Sequence, residues 1–358
     1  MGKERTFLGK KINIFVTKVR KSKKLRKILM VTGISLVLLV VAVTLSIVVM
    51  RESGKKSLYD ENEKQSMNLA QAGDDSYDEI TLNGERYKYN EDILTFLVLG
   101  IDKNEKVAPA INGISGGQSD GIFLLVMNPD TKKIHIITVH RDTVAELSIY
   151  DKDGNFVKKA MAQICLQHGY GDGMELSNER TKAAISKLFY NLPIHSVTSV
   201  NMGAIGQLND AIGGVTVEAL ESFSFNDSTF VQGETVTLNG NSAYDYTKYR
   251  DTSQHYTALK RLERQKQYLS KAVEQGMDAV KRDVGVLVDI YDIVKDYVVT
   301  DLTIDEMTYI ATESLDYSFG QIYSPAGTVD TSRTFERYYL DDEAFEKMII
   351  DIFYEKVN

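Results

Sequence analysis

"ILTFLVLGID", residues 93–102, is the stretch on which the reading of this chain turns. Its apolar residues follow one another without alternating with polar ones, and the run is too short for an ordinary helix. Gly100 and Asp102 then end it. A strand buried on both faces has this pattern, so the segment predicts a central strand of an α/β sheet. Downstream, "GIFLLVMNPDTKKIHIITVHRDT" (121–143) predicts two more strands around an Asn-Pro-Asp turn, and "SVTSVNM" (196–202) another. Between them, residues 177–190 have a Ser or Asn cap and helical spacing of Ala184, Leu188 and Phe189. "MGAIGQLNDAIGGV" (202–215) reads as a short helix stopped by Gly213-Gly214. The expected fold is α/β, a sheet sandwiched between helices.

The flanks complete the organisation. "ITLNGERYKY" (80–89) carries Asn83-Gly84 between alternating apolar residues, a strong hairpin signal. Past residue 275, "VLVDIYDIVKDYV", "TIDEMTYIATESL" and "DEAFEKMIIDIFYEKV" read as helical cover over the sheet, with no chemistry in it. Thr303 or Asp305 is the expected cap of the second. The net charge of −8 is split into +10 over residues 1–27, where eleven Lys and Arg meet one acid, nothing over 28–50, and −18 thereafter. The uncharged 23 residues 28–50 would span about 35 Å as a helix. That is enough to cross the roughly 30 Å core of a bilayer, and the segment lacks a cleavage site. The expectation is a single N-terminal transmembrane helix, with the N-terminus cytoplasmic by the positive-inside rule and the C-terminal domain extracellular, at the cell membrane.

The resulting layout is a basic cytoplasmic tail (1–27), a membrane span (28–50) and a polar stalk (51–75). A hairpin extension (76–92), the main α/β domain (93–275) and a mainly helical C-terminal part of the same outer region (276–358) follow. The basic tail has no nucleic-acid-binding motif, so nucleic acid is not an expected partner and the membrane is. Cys165 stands alone, which excludes an intramolecular disulfide, and its apolar setting "AQICL" suits a core thiol. The five histidines show no zinc spacing.

Three fragments set charge at the ends of buried strands, where α/β folds place their sites. Asp102 closes "VLGID", Asp120 opens "SDGIFLLV", and Arg141-Asp142 closes "ITVHRDT". A fourth stretch, "KYRDTSQHYTALKRLERQ" (248–265), gathers Lys248, Arg250, Lys260, Arg261 and Arg264 in an otherwise acidic chain. On a helix Arg261, Arg264, Gln265 and Tyr268 share one face. Either a solvated stripe or an anion site would account for it.

In order and spacing, "LVLGID", "SDGIFLLVMNP", "RDT", "IGGVTV", "LNGNSAYDYTKYR" and "RLERQKQYL" resemble the LytR–CpsA–Psr family of bacterial cell-envelope proteins, over roughly residues 93–272. The resemblance implies a phosphotransferase. Such an enzyme moves a glycopolymer phosphate, of teichoic acid or capsular polysaccharide type, from a polyprenyl-pyrophosphate carrier to peptidoglycan, at the 6-hydroxyl of N-acetylmuramic acid. By matching position, the pyrophosphate falls to Arg141, Lys248, Arg250, Arg261, Arg264 and Gln265. Catalysis falls to Asp120, Arg141 and Arg250, with Asp120 or else Asp102 taking the proton of the attacking hydroxyl. Asp102 and Asp120 are the implied ligands of Mg²⁺. Guanidinium forks suit phosphate oxygens, and a hard cation suits two carboxylates facing them.

The chain departs from the family pattern at Lys248, which replaces an Arg, at Gln118, also in place of Arg, and at Ala258, in place of Asp. Asp142 either orients Arg141 or caps a turn. Two alternatives share the same residues: a non-catalytic scaffold for lipid-linked glycans, and a pyrophosphatase transferring to water. A transcriptional regulator would need a reader domain that the chain lacks. The runs "LTFLVL" and "FLLVM" suit either a lipid channel or the sheet core, with core the default.

Overall fold

The computed structural model describes residues 42, 44–60, 64, 77–110, 115–251, 253–283 and 285–357. The apolar run 94–101 forms a strand in the middle of a six-stranded mixed sheet. In chain order its strands are β1 (Leu94–Ile101), β2 (Ser119–Asn128), β3 (Lys133–Thr138), β4 (Ser196–Asn201), β5 (Val298–Thr300) and β6 (Ser318–Tyr323). Across the sheet they run β5-β4-β1-β2-β3-β6. β1 is parallel to β4 and antiparallel to β2, which turns back on β3 around the Asn-Pro-Asp turn.

Both faces of β1 are covered, which is why its sequence does not alternate. On one face Leu97, Leu99, Ile122, Leu124 and Val197 pack with α2 (Glu175–Leu188) and α8 (Asp342–Phe353), through Ile185, Phe345 and Ile349. On the other, Leu94, Phe96 and Met127 meet Leu58 of α1 (residues 44–60) and Tyr309 of α7 (Ile304–Glu313). The expected α/β sandwich is therefore present. "LTFLVL" and "FLLVM" belong to its core.

The Asn83-Gly84 turn has φ of 53° and 81°, as a two-residue hairpin of this twist requires. The C-terminal strand Tyr354–Lys356 adds to that hairpin as a third strand. Thr303 caps α7 in a capping box with Glu306, a contribution of about 1 kcal/mol.

Three expectations change. Residues 51–60, read as stalk, are helical and docked. Leu58 is buried, Ser57 donates to Glu306 at 2.7 Å, and Gly54 lies so close that a Cβ would meet the Asp305 carbonyl oxygen at 2.1 Å. Next, the span expected over 28–50 lies mostly outside the described residues. Among the described ones no helix is long and apolar enough to cross a membrane, since α1 turns polar from Arg51 and packs on the sheet. That finding overturns the expected single-pass cell-membrane localisation and its orientation. Finally, the segment after 275 is more than helical cover. It supplies α6 (Val286–Val294), both edge strands β5 and β6, and the hairpin Gly327–Asp330 with Arg337–Leu340.

Candidate functional site

Asp120 owes its aim to a break in register. Gly100 pairs with Gly121 but Ile101 pairs with Ser119, which leaves Asp120 as the extra residue of a β-bulge. A bulge bends its strand and re-aims one side chain. The carboxylate, 6 % exposed, points among cations. Arg141 Nη1 donates to Oδ1, while Arg261 Nη1 and Lys248 Nζ lie 3.1 and 3.9 Å from Oδ2.

Arg141 lies in the turn after β3, closed by the Thr143 N–H on the His140 carbonyl at 2.9 Å. Its Nη2 donates to Gln118 Oε1 and to Cys165 Sγ, and its Nε lies 3.4 Å from Asp142 Oδ1. Asp142 thus faces Arg141 rather than simply capping the turn. Gln118, one of the departures, supports Arg141 from the side. Burial pushes the Cys165 thiol up to about 11, against the pull of Arg141, so it is the core thiol expected. His140 stacks on Tyr338 and is held down to about 4, by burial first and then by Arg261 and Arg250.

The remaining cations come from two helices that follow α3 (Ile205–Ala211), namely α4 (Asn241–Lys248) and α5 (Thr257–Arg282). The last carbonyls of a helix have no partner within it, and here α5 provides them. Arg264 Nε donates to the Tyr246 carbonyl at 2.8 Å and Gln265 Nε2 to that of Thr247 at 3.2 Å. Arg264 Nη2 reaches the Tyr249 carbonyl and Nη1 pairs with Glu221. The guanidinium lies 4.8 Å from the Phe223 ring centroid and is fully buried. Arg264 and Gln265, expected to bind the anion, therefore brace the chain that presents Lys248 and Arg250. Arg261, on the same helix, points instead to Asp120. Ala258 is buried at the start of α5.

Arg250 donates from Nε to Thr257 Oγ1 at 3.2 Å and from Nη2 to Glu336 Oε2 at 3.1 Å. Glu336 was outside every sequence motif. Four cations (Arg141, Lys248, Arg250, Arg261) thus crowd around Asp120, Asp142 and Glu336. Burial, then the neighbouring Arg141 and Arg250, hold Arg261 down to about 10. Burial also lowers Lys248, with Asp102 opposing it. Burial raises Asp142. Cations depressed by burial and by each other gain from an incoming anion.

Asp102 is exposed at the end of β1, beside this cluster, and its Oδ1 accepts the Gln118 N–H at 2.8 Å. Among the described residues no three His, Cys, Asp or Glu side chains gather to hold a metal. Two hard oxygen donors without His or Cys do not suit a closed zinc site. They fit a cation that takes most of its shell from phosphate and water. Beyond His140 and Thr143 opens a cavity of about 290 Å³, lined chiefly by Leu188, Phe189, Leu259, Leu262, Tyr338 and Phe345.

A sequence model of the LytR_cpsA_psr family matches residues 51–347. This chain belongs to the LytR–CpsA–Psr family. Among its relatives is a polyisoprenyl-teichoic acid–peptidoglycan teichoic acid transferase, TagU, of Oceanobacillus iheyensis. It is 29% identical over 227 residues, which cover 62% of this chain and 63% of the relative. A TagU of Bacillus licheniformis is 25% identical over 218 residues, 61% of this chain and 63% of the relative. The chain spans just under two thirds of the length of these curated relatives. In fold it is similar to the crystal structure of B. subtilis TagV, with TM-score 0.57, 18% identity, and 74% of this chain and 96% of that one covered. It is also similar to a structure described as a transcriptional regulator from Enterococcus faecalis, with TM-score 0.55, 21% identity, and 73% and 87% covered.

Proposed function

We propose that this LytR–CpsA–Psr protein transfers a glycopolymer phosphate, of teichoic acid type, from a polyprenyl-pyrophosphate carrier to a peptidoglycan hydroxyl. The observation that carries this reading is the convergence of Arg141, Lys248 and Arg261 on one bulged carboxylate, Asp120, with Arg250 close by. A pyrophosphate ester requires neutralisation of its charge while phosphorus is attacked, and positioned cations provide most of the catalysis in such reactions. The attacking oxygen forms the new bond to the glycan-bearing phosphorus. The bond to the polyprenyl phosphate breaks, and the hydroxyl proton passes to Asp120. The cavity beyond His140 suits the first isoprene units of the carrier.

Asp102 and Asp120 would hold Mg²⁺, which when bound neutralises phosphate charge. Arg141, held by Asp120, Gln118 and Asp142, sets a fixed positive charge against the phosphates. Lys248 contributes charge without a fork.

The test incubates the full chain with a short-chain polyprenyl-pyrophosphate disaccharide, Mg²⁺ and peptidoglycan oligomers, with products followed by mass spectrometry. A phosphodiester adduct, lost in Arg141→Ala and Asp120→Ala, is expected. Free phosphorylated glycan alone would make the protein a pyrophosphatase. Tight binding without turnover of any lipid-linked donor would make it a scaffold.

A further inference from the structure

Glu336 stands immediately before the strand Arg337–Leu340, and its side chain is 9 % exposed. Besides accepting from Arg250, it accepts the backbone N–H of Tyr256 at Oε1, 2.8 Å away. His255 Nδ1 lies 3.4 Å from the same oxygen. The Glu336 carbonyl accepts Gln163 Nε2 at 3.2 Å, which ties its backbone to a neighbouring hairpin.

Tyr256 is the N-cap of α5 and has a φ of 64°. A non-glycine residue stays in this left-handed region only when its surroundings hold it there. A carboxylate at the start of a long helix is also favoured by the helix dipole. Arg250 is meanwhile fixed to Thr257, the first residue of that helix. One carboxylate therefore clamps both the loop that carries Arg250 and the helix that carries Arg261. Arg250 directs Nε and Nη2 at protein, while Nη1 donates to no described residue. One edge of the fork is held and the other is left for an anion.

We infer that Glu336 is a positioning residue for the phosphoanion, holding Arg250 and the start of α5 so that Arg250 and Arg261 address the same pair of phosphates. The inference rests on the reading of the site as a pyrophosphate site. A carboxylate near an anion also repels it, and the fixed orientation of Arg250 outweighs that repulsion.

The experiment titrates the full chain with inorganic pyrophosphate by calorimetry, comparing the wild type with Glu336→Gln, Arg250→Ala and the double variant. Glutamine keeps an acceptor for the Tyr256 N–H, so the melting temperature should stay close to wild type. Loss of the charge-assisted bond should weaken pyrophosphate binding about tenfold. That weakening should vanish in the Arg250→Ala background, as it would not for a merely structural role. In the transfer assay KM for the donor should rise while kcat changes by less than about twofold. Unchanged or tighter binding by Glu336→Gln, or a weakening undiminished without Arg250, would overturn the role of Glu336 alone. A wild type that fails to bind pyrophosphate would instead sink the reading of the site.

Discussion

Arg261 reaches across 141 residues of chain to set Nη1 3.1 Å from Oδ2 of Asp120, both side chains nearly excluded from water. Asp120 is at the same time the shared counter-ion of Arg141 and Lys248. The two partners are therefore not equivalent. Removing Arg261 leaves Asp120 with two cations, whereas removing the charge of Asp120 leaves three cations without their common carboxylate.

Asp120→Asn should accordingly be more destabilising than Arg261→Ala. We expect about 3–5 kcal/mol for the first and about 1–3 kcal/mol for the second. Urea unfolding of both variants and the double mutant measures this. Millimolar pyrophosphate should restore much of the loss in Asp120→Asn by replacing the missing anion. Equal, additive losses, untouched by pyrophosphate, would show that the cluster does not share one carboxylate.

Arg264 and Arg250 should separate stability from binding. Arg264→Ala leaves the carbonyls of Tyr246 and Tyr249 without their donor and Glu221 with only Lys260, 3.8 Å away, so its unfolding free energy should fall by about 3 kcal/mol. Arg250→Ala leaves Glu336 with the Tyr256 N–H as its donor, so it should lose about 1–2 kcal/mol, less than Arg264→Ala, yet bind pyrophosphate at least about tenfold more weakly. The reverse pattern would return Arg264 to the anion site.

His140 predicts a pH effect. Above its ordinary value of 6.5 the imidazole is neutral in both states. Between 6.5 and its folded value of about 4 the unfolded chain takes up a proton that the folded chain refuses. Stability should fall by about 1.4 kcal/mol per pH unit in that window, about 3 kcal/mol in all. The raised Asp142 carboxyl works the other way, and the buried His195, held down to about 3, adds a parallel fall. Urea midpoints of His140→Gln between pH 7 and 4 should therefore give a flatter curve, though not a level one. A slope identical to wild type would refute the assignment.

Gly54 tests the docking of α1. A valine there would collide with the backbone of residues 305 and 306. The expected cost is about 1–3 kcal/mol, with faster proteolysis near residue 60. The exposed Lys55→Ala serves as control and should change neither. Unaltered proteolysis of Gly54→Val would show that α1 is not held on the sheet.

The parts of the fold legible in the sequence were those whose pattern is local. The double-sided burial of β1 is written in 94–101, the hairpin in Asn83-Gly84 and the α7 cap in Thr303, one of the two caps the sequence offered. β5 and β6 were missed because three residues, or a strand interrupted by Gly320, carry too little periodicity. The docking of 51–60 was missed because only Gly54 and Leu58 are buried there.

At the site, helical spacing put Arg261 and Arg264 on one face, which is correct. Spacing cannot show that α5 passes between two groups of partners, so that residues three apart meet Asp120 on one side and Phe223 on the other. Glu336 had no signal at all. It is one acid in "SRTFERYY", and only the path of the last hairpin brings it to Arg250.

The two outer strands of the central sheet, β5 and β6, both arise in the last quarter of the chain. During synthesis the four inner strands therefore emerge first, with the free edges of β4 and β3 waiting for partners about a hundred residues away or more. Open edges of this kind invite pairing with other chains, and long loops slow their closure. A messenger truncated after residue 275 would yield a polypeptide that carries every arginine of the site yet is prone to aggregate. Completion of the C-terminus is thus a condition for covering both edges of the sheet as well as for the placement of Glu336.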